Sequence, residues 1–176
     1  MAADLKLLLE GRPAVGKTTV VRRLAEQLRE AGVMVGGFVT NELRESGRRI
    51  GFTVETFDGD HAVLAHVDFS GPPRVGKYGV DVPAFERIAL PALARAAASE
   101  VVLIDEVGKM ELASVPFRAA VDDCFGRRTV IVATVQLARH PVTDRLKGRR
   151  DVETIRVTAS NRAELPAQLA ERIIGR

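Results

Sequence analysis

Short apolar runs alternate with amphipathic stretches along most of this chain. Apolar runs of strand length begin near residues 4, 33, 100, 129 and 152, and apolar residues recur at helical spacing between several of them. In the run Val101–Ile104, four consecutive residues are apolar, as in a parallel strand that is buried on both faces. The alternation predicts an α/β fold, namely a three-layer α/β/α sandwich on a mainly parallel sheet.

Residues 36–67 show a second pattern, in which apolar and polar residues alternate as in half-buried antiparallel strands. The segments 33–43 and 48–57 predict two such strands joined by a polar turn with glycine, and a third short strand follows at 62–67. We expect an antiparallel hairpin insertion, which either covers a bound ligand or simply extends the sheet. The turn-rich segment 70–79 predicts a loop, either over a functional site or purely structural.

The helix boundaries carry their own signals. Residues 83–98 predict a helix that Pro91 kinks or divides. Ser114 is placed to cap the next helix, because its hydroxyl can accept from the backbone of the first turn. Asn161 and Glu164 have capping-box spacing, so we expect them to begin the final helix.

The segment between the first strand and the first helix fits the pattern G-x-x-x-x-G-K-[ST]. Its residues are Gly11, Arg12, Pro13, Ala14, Val15, Gly16, Lys17 and Thr18, followed by Thr19. A glycine loop between a strand and a helix points backbone N–H groups at phosphate oxygens, and the helix dipole reinforces them. Lys17 is then expected to reach the β- and γ-phosphates, and the Thr18 hydroxyl to ligate Mg²⁺.

A second motif supplies the acidic half of such a site. Asp105 and Glu106 directly follow the buried run Val101–Ile104, so they stand at the carboxyl edge of the predicted sheet, where nucleotides bind. Asp105 is expected to hold Mg²⁺ directly or through water. Glu106 suits a general base, or an acceptor that orients the attacking water.

Together the two motifs resemble the Walker A and Walker B elements of P-loop NTPases. Five segments in order narrow the match: residues 11–19, 36–38, 47–52, 75–81 and 104–112. The series resembles the small nucleoside-triphosphatase family, also known as the cancer-related nucleoside-triphosphatase family. That resemblance implies a P-loop fold and slow hydrolysis of ATP, GTP and other nucleoside triphosphates with Mg²⁺. It also implies nucleotide contacts along Asp105, Glu106, Val107, Gly108 and Lys109.

The chain departs from that family at two positions. Ala14 stands where the family commonly has glycine in the phosphate loop, and we expect the small alanine to preserve the cradle. Gln136 follows a predicted strand where the family tends to carry Ile-Pro, so the loop beyond it does not transfer in detail.

Basic residues cluster between positions 138 and 150. They form either a solvated helix and turn or a lid that closes over the triphosphate. In a lid, Arg145, Arg149 or Arg150 could stabilise the transferring phosphoryl group. Lys109 is a separate candidate from the resemblance, although it could equally pair with Glu111 at the surface.

Composition limits the remaining possibilities. The 176 residues fit a single P-loop domain spanning 1–176, and 46% hydrophobic with 28% charged residues is ordinary globular usage. The net charge of +3 does not indicate a nucleic-acid partner, and no run reaches membrane-spanning length. We expect a soluble, cytoplasmic protein, with a monomer favoured. The one cysteine, Cys124, precludes an internal disulfide and is expected to be buried.

Two other functions use the same phosphate cradle. A nucleotide or nucleoside kinase would transfer the γ-phosphoryl group to a small acceptor, so transfer would exceed hydrolysis once an acceptor is added. An ATP-binding regulatory or RNA-handling switch module would couple slow turnover to a conformational change, and nucleic acid would then stimulate turnover.

Overall fold

The computed structural model describes residues 4–175, so residues 1–3 and 176 of the predicted 1–176 domain lie outside it. Its strands are β1 (Lys6–Gly11), β2 (Val35–Glu45), β3 (Arg48–Thr56), β4 (His61–His66), β5 (Arg74–Val75), β6 (Tyr78–Val80), β7 (Val101–Val107), β8 (Val130–Gln136) and β9 (Val152–Arg156). Its α-helices are α1 (Lys17–Glu30), α2 (Val82–Arg95), α3 (Val115–Gly126), α4 (Pro141–Lys147) and α5 (Leu165–Ile174). Two short 3₁₀ helices, Ala96–Ala98 and Glu111–Ala113, follow α2 and β7.

The described strands form one mixed sheet in the order β5-β6-β4-β3-β2-β7-β8-β1-β9. Five neighbouring strands of this sheet pair in parallel, namely β2, β7, β8, β1 and β9. They begin close to the five positions predicted from the sequence. Strand β2 belongs to both halves of the sheet, because Val35–Phe38 pairs with β7 and Phe38–Glu45 pairs with antiparallel β3. The three-layer α/β fold with an antiparallel insertion is therefore confirmed.

The insertion extends the sheet rather than folding back over it. Strands β2 and β3 turn at Ser46 and Gly47, which both have positive φ, and β4 pairs with β3. The expectation of a plain loop at 70–79 is wrong, because Arg74–Val75 and Tyr78–Val80 pair as a small hairpin. This hairpin lies at the edge of the sheet away from β1, so it does not cover the loop that follows β1.

Two apolar clusters cover the two faces of the sheet. Alternation along β1 explains the division, since Leu7 and Leu9 pack with α1 and α5, whereas Leu8 belongs to the cluster that includes α2, α3 and α4. All three leucines are fully buried. Strands packed on both faces must be apolar at consecutive positions, which is the pattern that the sequence shows.

The helix signals have mixed outcomes. Helix α2 runs without division through Pro91, which lies on the exposed side, where water can bond the carbonyl that the ring leaves free. The Ser114 hydroxyl accepts from the Phe117 N–H at 3.1 Å and caps α3, as predicted. The capping box is wrong: α5 begins only at Leu165, because Asn161 instead accepts from the Thr158 N–H and holds a turn.

Two further expectations concern burial and membranes. Cys124 is buried in the cluster beneath α3, and burial raises the pKa of its thiol, so it serves as a small apolar side chain. Among residues 4–175, no helix combines the length and apolarity needed to cross a bilayer.

Candidate active site

The glycine loop wraps around the lysine that ends it. Gly11 closes β1, and the loop leads directly into α1, which begins at Lys17. The Lys17 ammonium is buried and donates to the carbonyls of Gly11 at 2.9 Å and Arg12 at 3.2 Å. These contacts hold the loop in a closed ring around one positive charge.

Backbone geometry explains the small residues of the loop. A Cβ at Gly11 would lie 2.8 Å from the Val15 side chain, so only glycine fits there. Gly16 has φ 110° and Ala14 has φ 61°, both in the left-handed region. An alanine in that region costs about 1 kcal/mol, which accounts for the glycine common in related loops. The loop nevertheless keeps its ring, as expected for a small side chain.

The first turn of α1 has the features that favour binding of an anion. Gly16 is its N-cap residue and supplies no side-chain acceptor, and no acidic residue occurs in the first turn. The N–H groups at the start of a helix have no partners within the helix, and the dipole favours negative charge there. A phosphate bound by the loop would satisfy both requirements.

Asp105 lies directly beside this helix start. The Thr18 hydroxyl donates to Asp105 Oδ2 at 2.7 Å, and the fully buried Thr134 hydroxyl donates to Oδ1 at 2.6 Å. Burial raises the pKa of Asp105 to about 6, while the bonds from Thr134 and Thr18 act in the opposite direction. Thr134, near the carboxyl end of β8, therefore binds the carboxyl group that lies near the end of the acidic strand.

Glu106 points towards the same lysine. Its Oε2 lies 3.6 Å from Lys17 Nζ, and its Oε1 accepts from Gln136 Nε2 at 2.9 Å. The side chain is 19% exposed, so solvent still reaches it. The pairing of β7 with β8 is irregular between Ile104 and Val107, at the point where the two acidic residues leave the ladder.

Two arginines of the basic segment that could have formed a lid are held against α3. Helix α4 packs Val142 and Leu146 into the core, and Arg145 pairs with Asp122 of α3 at 2.6 Å. Arg149 donates to the Phe125 carbonyl at the end of α3, which is the edge of the sheet opposite the phosphate loop.

Because both arginines contact α3, the structure favours a solvated helix and turn over a lid for Arg145 and Arg149. Arg150 is exposed.

Lys109 is exposed at the end of the acidic motif, whereas Val107 and Gly108 are buried. Glu111 is not at the surface, so the suggested surface pair with Lys109 is wrong. Burial, together with the nearby Glu106 charge, raises the pKa of Glu111 well above its ordinary value. The apolar packing of the short helix Glu111–Ala113, which buries Leu112 next to it, accounts for the burial.

Two basic residues lie near the loop although neither belongs to the two sequence motifs. Arg162 donates to the Val15 carbonyl at 3.1 Å and lies against Gly16. Lys147 pairs with Glu10, the neighbour of Gly11, at 2.7 Å. The available signal for Arg162 was its place just after β9, at the carboxyl edge of the sheet.

The arrangement joins three chemical capacities in one place. A loop and a helix start can hold phosphates, the oxygens of Thr18 and Asp105 suit a hard cation, and Glu106 can accept a proton. The structure thus brings together Lys17, Thr18, Asp105 and Glu106, although they come from distant parts of the chain.

Comparison with known proteins places this site in a family. A family model described as NTPase matches residues 6–170. The chain is 41% identical to nucleoside-triphosphatase THEP1 of Thermotoga sp. (strain RQ2), covering 92% of this chain and 91% of that protein. It is 40% identical to human cancer-related nucleoside-triphosphatase, covering 90% and 91%. The crystal structure of THEP1 from Aquifex aeolicus superposes with a TM-score of 0.87 at 31% identity, covering 97% and 99%. The chain therefore belongs to the NTPase family.

Proposed function

We propose that this protein hydrolyses nucleoside triphosphates, ATP and GTP among them, to the diphosphate and inorganic phosphate, using Mg²⁺. The observation that carries the proposal is the meeting of two motifs: Thr18 contacts Asp105 at 2.7 Å, and Lys17 lies 3.6 Å from Glu106. Relatives that carry the name nucleoside-triphosphatase support the same reaction.

The triphosphate would bind along the glycine loop. The backbone N–H groups of the loop and of the first turn of α1 would donate to its oxygens. Lys17 is positioned to exchange its carbonyl and carboxylate contacts for the β- and γ-phosphates. Its charge would offset the charge that builds up on the phosphoryl oxygens.

The donor set fits Mg²⁺. A hydroxyl group and a carboxylate in contact are the hard oxygen donors that this ion prefers, and Thr18 and Asp105 would hold it. Residues 4–175 contain no group of three or more His, Cys, Asp or Glu that could hold a metal alone. Phosphate oxygens and water would complete the coordination. When bound, the ion supplies positive charge to the phosphate tail.

The chemical step requires one proton acceptor. Glu106 would orient a water molecule and take its proton as the water oxygen attacks the γ-phosphorus. The bond from the γ-phosphorus to the β–γ bridging oxygen breaks, and the electron pair leaves with the diphosphate. Hydrolysis thus consumes one water molecule, and the proton is released from Glu106 to solvent.

Two substitutions test the proposal. Lys17→Ala is expected to abolish turnover, whereas Glu106→Gln should bind nucleotide normally and lose about 10²–10⁴-fold in kcat. Lys77→Ala, in the hairpin at the far edge of the sheet, serves as the control and should retain full activity. Full activity of Glu106→Gln would remove Glu106 from the mechanism.

The assay should measure released phosphate and phosphorylated acceptor together, over a panel of nucleotides and candidate acceptors. Phosphate release that is independent of acceptors is the expected result. Transfer that exceeds hydrolysis would identify a kinase instead.

A further inference from the structure

We propose that Gln136 is a positioning residue, which fixes Glu106 for the proton transfer. The inference rests on the proposed hydrolysis and adds to it a residue that the two sequence motifs do not contain. Gln136 ends β8, the strand adjacent to β7, and its Nε2 donates to Glu106 Oε1 at 2.9 Å.

The two oxygens of Glu106 have different neighbours. Oε1 lies between the Gln136 amide and the bare Cα of Gly108, where an added Cβ would come within 2.7 Å of it. Oε2 lies on the other side, 3.6 Å from Lys17 Nζ, and therefore faces the end of the phosphate loop. Holding Oε1 stops rotation of the carboxylate and keeps Oε2 directed at the loop.

The backbone of Gln136 is itself well supported. It is paired in register with Gly11, the first residue of the phosphate loop, and Val135 before it is fully buried. Lys147 Nζ lies 3.4 Å from the Gln136 carbonyl and is also paired with Glu10. The amide that holds Glu106 is thus anchored beside the end of β1, where the phosphate loop begins.

The chemistry of an amide suits this role. An amide donates a hydrogen bond without carrying a charge or a transferable proton near neutral pH. It can therefore hold Oε1 and leave Glu106 available to accept a proton at Oε2. A freely rotating glutamate would lose side-chain entropy each time it adopted the productive orientation.

The test replaces the donor while keeping side-chain length. Gln136→Met is expected to lower kcat about 10-fold, with KM and the nucleotide dissociation constant unchanged, because only the orientation of Glu106 is lost. Gln136→Glu keeps the shape, removes the donor and adds a like charge, so its kcat should fall further. Gln27→Met, the same substitution at a half-buried glutamine of α1, is the matched control and should leave kcat unchanged.

The double variant separates positioning from a general structural effect. In the Glu106→Gln background, Gln136→Met should cause no further loss in single-turnover rate, since there is no base left to orient. Full kcat in both Gln136 variants, or the same fold loss in the Glu106→Gln background, would overturn the inference. Absence of hydrolysis by the unmodified protein would instead overturn the proposed function. Full activity of Glu106→Gln would remove Glu106 from the mechanism and, with it, this inference, while hydrolysis itself would stand.

Discussion

The hydroxyl of Thr134 offers a direct measure of how strongly the acidic strand end depends on its buried partners. Thr134 is fully buried, Asp105 is 1% exposed, and their hydrogen bond is 2.6 Å long. Thr134→Val keeps nearly the same volume and removes the donor. A hydrogen bond to a charged group contributes about 1.5–3 kcal/mol, and burial puts the pKa of Asp105 at about 6, so Asp105 is mostly ionised at pH 8.

We therefore expect the free energy of unfolding of Thr134→Val to fall by about 2 kcal/mol at pH 8. For a domain of this size, Tm should fall by about 4–8 °C. Thermal and urea unfolding of the nucleotide-free protein measure both quantities.

Thr129→Val, in the residue just before β8, is the matched control. The Thr129 hydroxyl lies 3.4 Å from the uncharged Glu100 carbonyl, so its loss should cost well under about 1 kcal/mol. If Thr134→Val unfolds at the temperature of the unmodified protein, or loses no more than Thr129→Val, then Asp105 does not depend on this bond and the reasoning fails.

Three further predictions follow from burial, backbone geometry and ion pairing. Burial raises the pKa of Glu111 in the folded protein well above its ordinary value of 4.5, so the stability that this group contributes is lost as the pH rises from about 4.5 through the raised pKa. The Tm of Glu111→Gln minus the Tm of the unmodified protein should therefore increase between about pH 5 and pH 8. Gly37→Ala would place a Cβ 1.9 Å from the Leu103 carbonyl oxygen and should prevent stable folding, whereas Gly47→Ala, also at positive φ but with open space around it, should cost only about 1 kcal/mol in urea unfolding. Arg145→Ala should leave kcat unchanged, because Arg145 pairs with Asp122; a large loss would return the α4 segment to the active site.

The features that the sequence predicted correctly are local ones. A strand, a glycine loop and a helix in immediate succession require only neighbouring residues, so Gly11 to Thr19 could be placed without the rest of the fold. The acidic strand end was equally visible, because Val101–Ile104 carries the apolar signature of a doubly buried strand. Proximity of the two motifs followed from the general rule that nucleotides bind at the carboxyl edge of an α/β sheet.

What the sequence could not provide was strand order and, with it, the pairing of distant side chains. Arg145 and Arg149 look like lid residues by composition, yet the ion-pair partner Asp122 and the Phe125 carbonyl lie on α3, which the charge pattern alone does not bring near them. The capping box failed for a similar reason. The Asn161 side chain can either cap a helix or hold a local turn, and in the structure it accepts from the Thr158 N–H and holds the turn.

Strand order also explains why β8 contributes to a site whose two motifs lie on β1 and β7. In the order β7-β8-β1, strand β8 lies between the acidic strand and the strand that carries the phosphate loop. Side chains at its end must therefore fill the space between the two motifs. Thr134 binds Asp105 and Gln136 binds Glu106, one residue of β8 for each carboxylate. Polar residues at the carboxyl end of an intervening strand are thus part of the site, although neither motif contains them.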